Sequence, residues 1–379
     1  MIIPHPIAPY NCDVLIYDTL GSSWLHQCIP NTATWRLLDI RHQRPIFLKG
    51  RFFSQLKHAY SHYADLYQDR LYLAYITAVF EHIKPRVILT FADNNVVLGP
   101  YAEYSTSTLV VAIQNAIRGT VDSIPPKTRL PIYYSLGSAE RKVFDEIGVT
   151  HQEYIPVGSV KLGLFLQQHY QNTRRWDLSF CSHYRPELVQ KGASKLFRLI
   201  ENAHKHLFRF TCQYAKDRNL SVAILSKTRE PKLQEMEETY FRDLADGLPF
   251  SLVLADKSDK EYATYQGAFA SDLIINLCST LGYEAFGAGK KVLFGSGYRK
   301  DLLRSWGAVQ YYEELPDFTC LQNDSFEDFS RQADVLISMT DQNYRQHTHR
   351  AARYYLAMPS NSYPHEIIRK RLTDYLNIS

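Results

Sequence analysis

Chemistry in this sequence would sit where apolar runs give way to clustered polar side chains. Thr90-Phe91-Ala92-Asp93-Asn94-Asn95 closes the run RVILTF over Arg86–Phe91. Asp93 could take a proton from an acceptor hydroxyl or attack an anomeric carbon, with Asn94 and Asn95 reading sugar hydroxyls beside it. The plainer alternative is an Asx turn capping the next helix. Ile113-Gln114-Asn115-Ala116-Ile117-Arg118-Gly119 offers two amides for hydroxyls and a guanidinium for a carboxylate or phosphate. Otherwise Arg118 is a solvated loop charge.

A second group is built for anions. Ser226-Lys227-Thr228-Arg229-Glu230 follows Val222–Leu225 and puts two cations at a strand end. Lys227 and Arg229 there could neutralise a departing phosphate, or could be ordinary surface charges. Leu273–Leu277 reads as a buried strand, Cys278-Ser279-Thr280 as a helix start, and Lys290–Phe294 as the next strand. The free N–H groups of such a start suit a diphosphate; Ser279 and Thr280 add hydroxyls, and Glu284 one turn on could accept from ribose. A bare βαβ crossover is the alternative. Lys161 after Val157-Gly158-Ser159, Ser182 and Arg185 in Ser182-His183-Tyr184-Arg185, and Tyr283 complete the residues assigned to the cleft. The histidines show no HExxH spacing or ligand cluster, so neither a metal nor a cofactor is expected.

The elements that must position these groups alternate. Strands are expected at Asp13–Asp18, Trp35–Ile40, Arg86–Phe91, Leu109–Ile113, Ile132–Leu136 and Tyr154–Val157, with helices at Arg51–Tyr67, Leu71–Ile83 and Ser138–Ile147. After the polar stretch Gln167–Trp176 the alternation resumes. Strands are expected at Leu178–Cys181, Val222–Leu225 and Ser251–Leu254, and helices at Lys191–Asp217, Glu235–Ala245 and Lys260–Ala270. Closing helices follow at Phe326–Met339, Asp341–Ala357 and Tyr363–Leu376. The reading is α/β with two Rossmann-like domains facing one cleft, residues 1–168 on the acceptor side and 169–358 on the nucleotide-sugar side. Residues 359–379 form a helix returning to the first domain.

Bulk properties are compatible. With 379 residues, two domains of ordinary size are expected, and a net charge of +4 is too mild for a nucleic-acid binder. It suits a phosphorylated substrate or an anionic membrane face. Aromatics make up 13% of the chain, with 27 Tyr, which suits a sugar-binding cleft or simply half-buried packing. Six scattered cysteines without a CxxC pair imply a reducing compartment. No signal peptide or apolar span is read, so a cytoplasmic location, with peripheral membrane contact, is expected.

Taken in order, ILTFADNN, VAIQNAIRG, YIPVGSVK, DLSFCSHYR and STLGYEAFGAGKKVLF resemble a bacterial surface-carbohydrate biosynthesis family of GT-B glycosyltransferases. The likeness runs from about Arg86 to Phe294; Ala116 departs from it where a Gly is expected. Within that group the chain looks like transferases that move Kdo (3-deoxy-manno-octulosonic acid) from CMP-Kdo onto capsule or lipopolysaccharide. The resemblance implies metal-independent transfer, the CMP phosphate at Ser279-Thr280, and a nucleotide sugar and a glycan acceptor as partners. A CDP-glycerol or UDP-sugar transferase, a two-domain sugar-nucleotide epimerase, or a non-catalytic glycan-binding subunit are the rival readings.

Overall fold

Apolar runs bounded by polar turns become parallel strands because both faces of such a strand must be covered. The computed structural model describes residues 4–6, 11–47, 50–63, 70–120, 129–168, 170, 173–186, 194–254, 262–295 and 300–377. Strands β1 (Val14–Tyr17), β2 (Trp35–Leu38), β3 (Val87–Thr90), β4 (Leu109–Ile113), β5 (Arg129–Ser135) and β6 (Thr150–Pro156) form one sheet in the order β2-β1-β3-β4-β5-β6. Strands β7 (Trp176–Cys181), β8 (Val222–Leu225), β9 (Ser251–Val253), β10 (Ser271–Asn276) and β11 (Val292–Phe294) form a second, in the order β9-β8-β7-β10-β11. Every pairing in both sheets is parallel. The GT-B arrangement expected from the sequence is therefore the one observed.

The two-residue period of β1 divides the core. Leu15 and Tyr17 face one apolar cluster with the helices Gly50–His62 and Arg70–Ile83. Val14 and Ile16 face a second cluster, which continues into the other half through Phe180, Ile274 and Leu293. One continuous apolar body thus joins the two sheets.

Differences from the expected elements have simple causes. Strand β6 begins at Thr150, earlier than its apolar run, because it is the partly exposed edge of its sheet and tolerates polar residues. Helices Leu98–Tyr104 and Val160–Gln168 are not among the expected elements; Gly99, Pro100 and Gly163 obscure their periodicity. The helix Gly50–His62 ends before Tyr67, and residues 64–69 lie outside those described. Among the described residues no helix is long and apolar enough to cross a membrane, and all six cysteines are free and buried.

The chain crosses back to the first sheet after the helix Asp341–Tyr355. Ser138 N donates to Tyr354 O at 2.8 Å and Ala357 N to Leu136 O at 2.7 Å. The helix Pro364–Leu376 then lies on the first half, with Arg371 on Glu153, Arg369 donating to Gln27 O, and Arg86 donating to Leu376 O. This close crossing needs two glycines. A Cβ on Gly137 would stand 2.4 Å from Tyr354 O, and one on Gly158, at φ +93°, 2.2 Å from Ala357 O. Replacing either by Ala is expected to lower the melting temperature by several degrees, while Gly50→Ala, with open space around it, leaves it unchanged or higher. A differential scan of the three variants checks this.

Candidate functional site

The carboxyl ends of both sheets open onto one cleft of about 780 Å³. From the first half come Leu20 after β1, the Asn115–Arg118 loop after β4, and Lys161 on the helix after β6. From the second come Ser182 and Arg185 after β7, Ser226, Lys227 and Arg229 after β8, and Cys278, Ser279, Thr280 and Glu284 after β10. Among the described lining residues, five side chains, Arg118, Lys161, Arg185, Lys227 and Arg229, are cations, and the one carboxylate is Glu284. Sequence reasoning singled out all six from separate strand ends, and the fold brings them together.

Asp93 does not join them at the surface. Its side chain is fully buried, where its Oδ2 accepts from Arg118 at 2.6 Å and from the Tyr133 hydroxyl at 2.9 Å. Burial lifts its carboxyl above the ordinary range against the pull of Arg118, while Oδ1 is buried without a hydrogen-bond partner among the described residues. An acid presented to the cleft is therefore corrected to an acid sealed beneath Arg118. Depth, which strand-end spacing does not encode, made the difference. Arg118 also donates to Asn115 Oδ1 at 2.9 Å, and Asn115 Nδ2 donates to Phe91 O at 2.5 Å. The guanidinium is thereby fixed with further N–H donors to spare.

Four other assignments also change. Gln114 is buried, donating to Glu140 at 2.8 Å and accepting from Leu136 N at 2.8 Å, so it braces the sheet rather than reading sugar. Asn95 forms the Asx turn, accepting from Val97 N at 2.9 Å, and neither it nor the exposed Asn94 lines the cleft. Tyr283 lies on the far side of its helix, packed on Phe294 and Tyr355, with its hydroxyl donating to Tyr311 O at 3.1 Å.

Ser279 is the N-cap of the helix Thr280–Gly287, but its side chain accepts no capping bond; Asn276 Oδ1 takes the Ser279 N–H at 2.9 Å instead. The helix start is left facing the cleft. Thr280 Oγ1 accepts from Ile117 N at 3.1 Å, which ties the two halves across the opening. Glu284 makes a second tie, accepting from Ser159 of the first half and from the Tyr265 hydroxyl at 2.8 Å. Burial raises its carboxyl, opposed by Ser159, Lys161 and Tyr265.

One neighbour, Glu237, was missed from sequence. Glu237, fully buried on the helix Pro231–Ala245, accepts from Ser182, from Ser226 Oγ at 2.6 Å and from Thr228 Oγ1 at 2.6 Å, and so fixes the loop that carries Lys227 and Arg229. Its only sequence signal is a carboxylate amid the apolar spacing of that helix. His183, buried beside Cys278, accepts from Cys278 N at 3.3 Å; burial and nearby Lys227 push its imidazole well below the usual range, so it is neutral.

No family profile and no curated protein matches the chain. Solved structures do. The UDP-GlcNAc 2-epimerase of Methanocaldococcus jannaschii, solved with UDP-GlcNAc and UDP, is similar with a TM-score of 0.53 at 11% identity, covering 95% of this chain and 99% of the epimerase. The wall teichoic acid polymerase TagF aligns with a TM-score of 0.48 at 8% identity over 96% of this chain and 90% of that one. Os79 from O. sativa, in complex with UDP, aligns with 0.49 at 9% over 96% and 100%. At such identities the likeness is one of fold, and the fold is the two-domain GT-B type.

Proposed function

We propose that this chain is a glycosyltransferase that takes its sugar from an anionic nucleotide donor, with CMP-Kdo the first donor to test. The observation that carries the reading is the convergence of five cations from both halves on one cleft, opposite the uncapped start of a helix. The donor phosphate lies at Ser279-Thr280, and Lys227 and Arg229 stabilise it as the bond from the anomeric carbon to the phosphate oxygen breaks. Glu284 accepts from the ribose hydroxyls. Arg118, held from beneath by Asp93, takes the donor's carboxylate, a group that CMP-Kdo has and neutral UDP-sugars and CDP-glycerol lack. Catalysis on this reading needs no metal, because the chain's own cations carry the leaving-group charge.

The test is a donor panel of CMP-Kdo, UDP-GlcNAc and CDP-glycerol, read by nucleotide release with and without acceptor glycan. Acceptor-dependent release of CMP supports the reading. Release of UDP or glycerol transfer moves the donor assignment, and a sugar inverted without acceptor makes the chain an epimerase. Lys227→Ala and Arg229→Ala are each expected to weaken donor phosphate contacts by about 1.5–3 kcal/mol, roughly a factor of ten to a hundred. Their melting temperatures should not move, because both side chains are exposed.

Glu284 gives a pH signature. Its raised carboxyl protonates at a higher pH than an ordinary glutamate, and the neutral acid loses its strength as an acceptor. Nucleotide affinity is therefore expected to fall on acidification above the usual carboxylate range, and Glu284→Gln should bind weakly at all pH values without that dependence. Calorimetric titration of wild type and variant across pH decides it.

Asp93→Ala should cost stability first. It leaves the Arg118 charge buried without its partner, worth about 3–5 kcal/mol in comparable sites, so the variant melts lower. A variant with wild-type melting and no activity would instead return Asp93 to a direct chemical role.

A further inference from the structure

A second cavity of about 560 Å³ adjoins the cleft and has different chemistry. Trp24, Trp35, Tyr262, His26, Gln27 and Gln168 dominate its walls, and none of its described lining residues is Asp, Glu, Lys or Arg. Three elements serve both spaces. Leu20 lines the cleft and Trp24, just beyond it, the pocket; Lys161 and Leu164 divide in the same way along the helix Val160–Gln168. Tyr262 faces the pocket while Thr264 and Tyr265, on the helix it precedes, line the cleft.

Trp24 is the wall between the two. Lys161 Nζ stands 4.3 Å and Arg229 Cζ 5.9 Å from its ring centre, and both cations belong to the cleft. The residue is only 6% exposed, and its indole N–H is buried without an acceptor among the described residues. Buried indole N–H groups ordinarily have one. Trp35, at the sheet edge on β2, is 36% exposed, with its ring 4.7 Å from that of His26. Aromatic faces that meet the C–H side of a ring, with amides and hydroxyls at the rim for its O–H groups, fit an uncharged pyranose. A charged sugar gains nothing here that the neighbouring cations would not supply better.

We infer that this pocket is a glycan subsite that takes uncharged pyranose units of the acceptor. It holds them against Trp35, beside the wall formed by Trp24, so that the chain's growing end reaches the cleft. This rests on the transferase reading for the word acceptor, although the glycan site itself stands on the pocket alone.

The full chain is applied to a printed array of neutral gluco-, manno-, galacto- and N-acetylglucosamine oligomers and their uronate and sialylated counterparts. Calorimetry with CMP and UDP runs in parallel. Binding to neutral oligomers is expected, reduced roughly tenfold by Trp35→Ala, with nucleotide binding unchanged by that variant. Trp35 is on the surface, so this variant folds; Trp24→Phe keeps an aromatic side chain but replaces the indole wall by a smaller phenyl, and should also lower the glycan signal. A blank array, a signal confined to charged glycans, or signals untouched by both variants overturns the subsite. Neutral-glycan binding that Trp35→Ala removes, in a chain that binds neither nucleotide, sustains the subsite while the transferase reading falls.

Discussion

A carboxylate removed entirely from water must be met by a cation or by hydrogen bonds, and in this molecule that requirement fixes the cleft. Asp93 sits at the end of a central strand with no exposed surface, so Arg118 must come to it from the neighbouring strand's loop. With Nη1 on Asp93 and Nη2 on Asn115, the guanidinium has little freedom left and its outer edge faces the opening. The Ile117 N–H, one residue earlier, then meets Thr280 across the gap. The position of one loop, set by one ion pair, thereby sets the width of the opening at that point.

How far this was legible in the sequence depended on what each residue type reveals. Val222–Leu225 and Leu109–Ile113 were placed to the residue, because an unbroken apolar run has few uses other than a buried parallel strand. The cleft residues were legible as strand-end polar clusters, since parallel sheets put ligands at that edge. Depth was not. Asp93 and Glu284 read alike as acids after strands, yet one is sealed and the other lines the cleft. Likewise Gln114 and Asn115 are sequence neighbours with opposite fates, one bracing the sheet and one beside the opening. Those outcomes depend on Tyr133, Glu140 and Ser159, which arrive from other strands and helices, so no local pattern carries them.

The two adjoining spaces differ in what water leaves behind. In the cleft, exposed cations keep their hydration until an anion replaces it, and their strength depends on ionic strength. In the neighbouring pocket the driving force is apolar area, chiefly on the exposed Trp35 indole, with hydroxyl and amide groups deciding orientation. Trp24, with cations over its ring and a pocket against it, lets the two kinds of recognition meet at one side chain.

Five like charges around one empty space repel one another, and a fold that leaves them there must hold them by something other than their mutual preference. The answer differs between the halves. Arg118 is held directly, charge to charge, and is itself mostly buried. Lys227 and Arg229 are exposed, and what is fixed is their backbone. Glu237 takes Ser226 and Thr228 through their hydroxyls and the Lys227 N–H at 3.3 Å. The loop is therefore set before any anion arrives, with the two long side chains carried above it at the opening. Such a division reduces the ordering cost on binding where the backbone is concerned and leaves it only to the side-chain tips. A site whose cationic loop is fixed at its backbone can grip a phosphate there without disturbing the guanidinium held on the opposite wall.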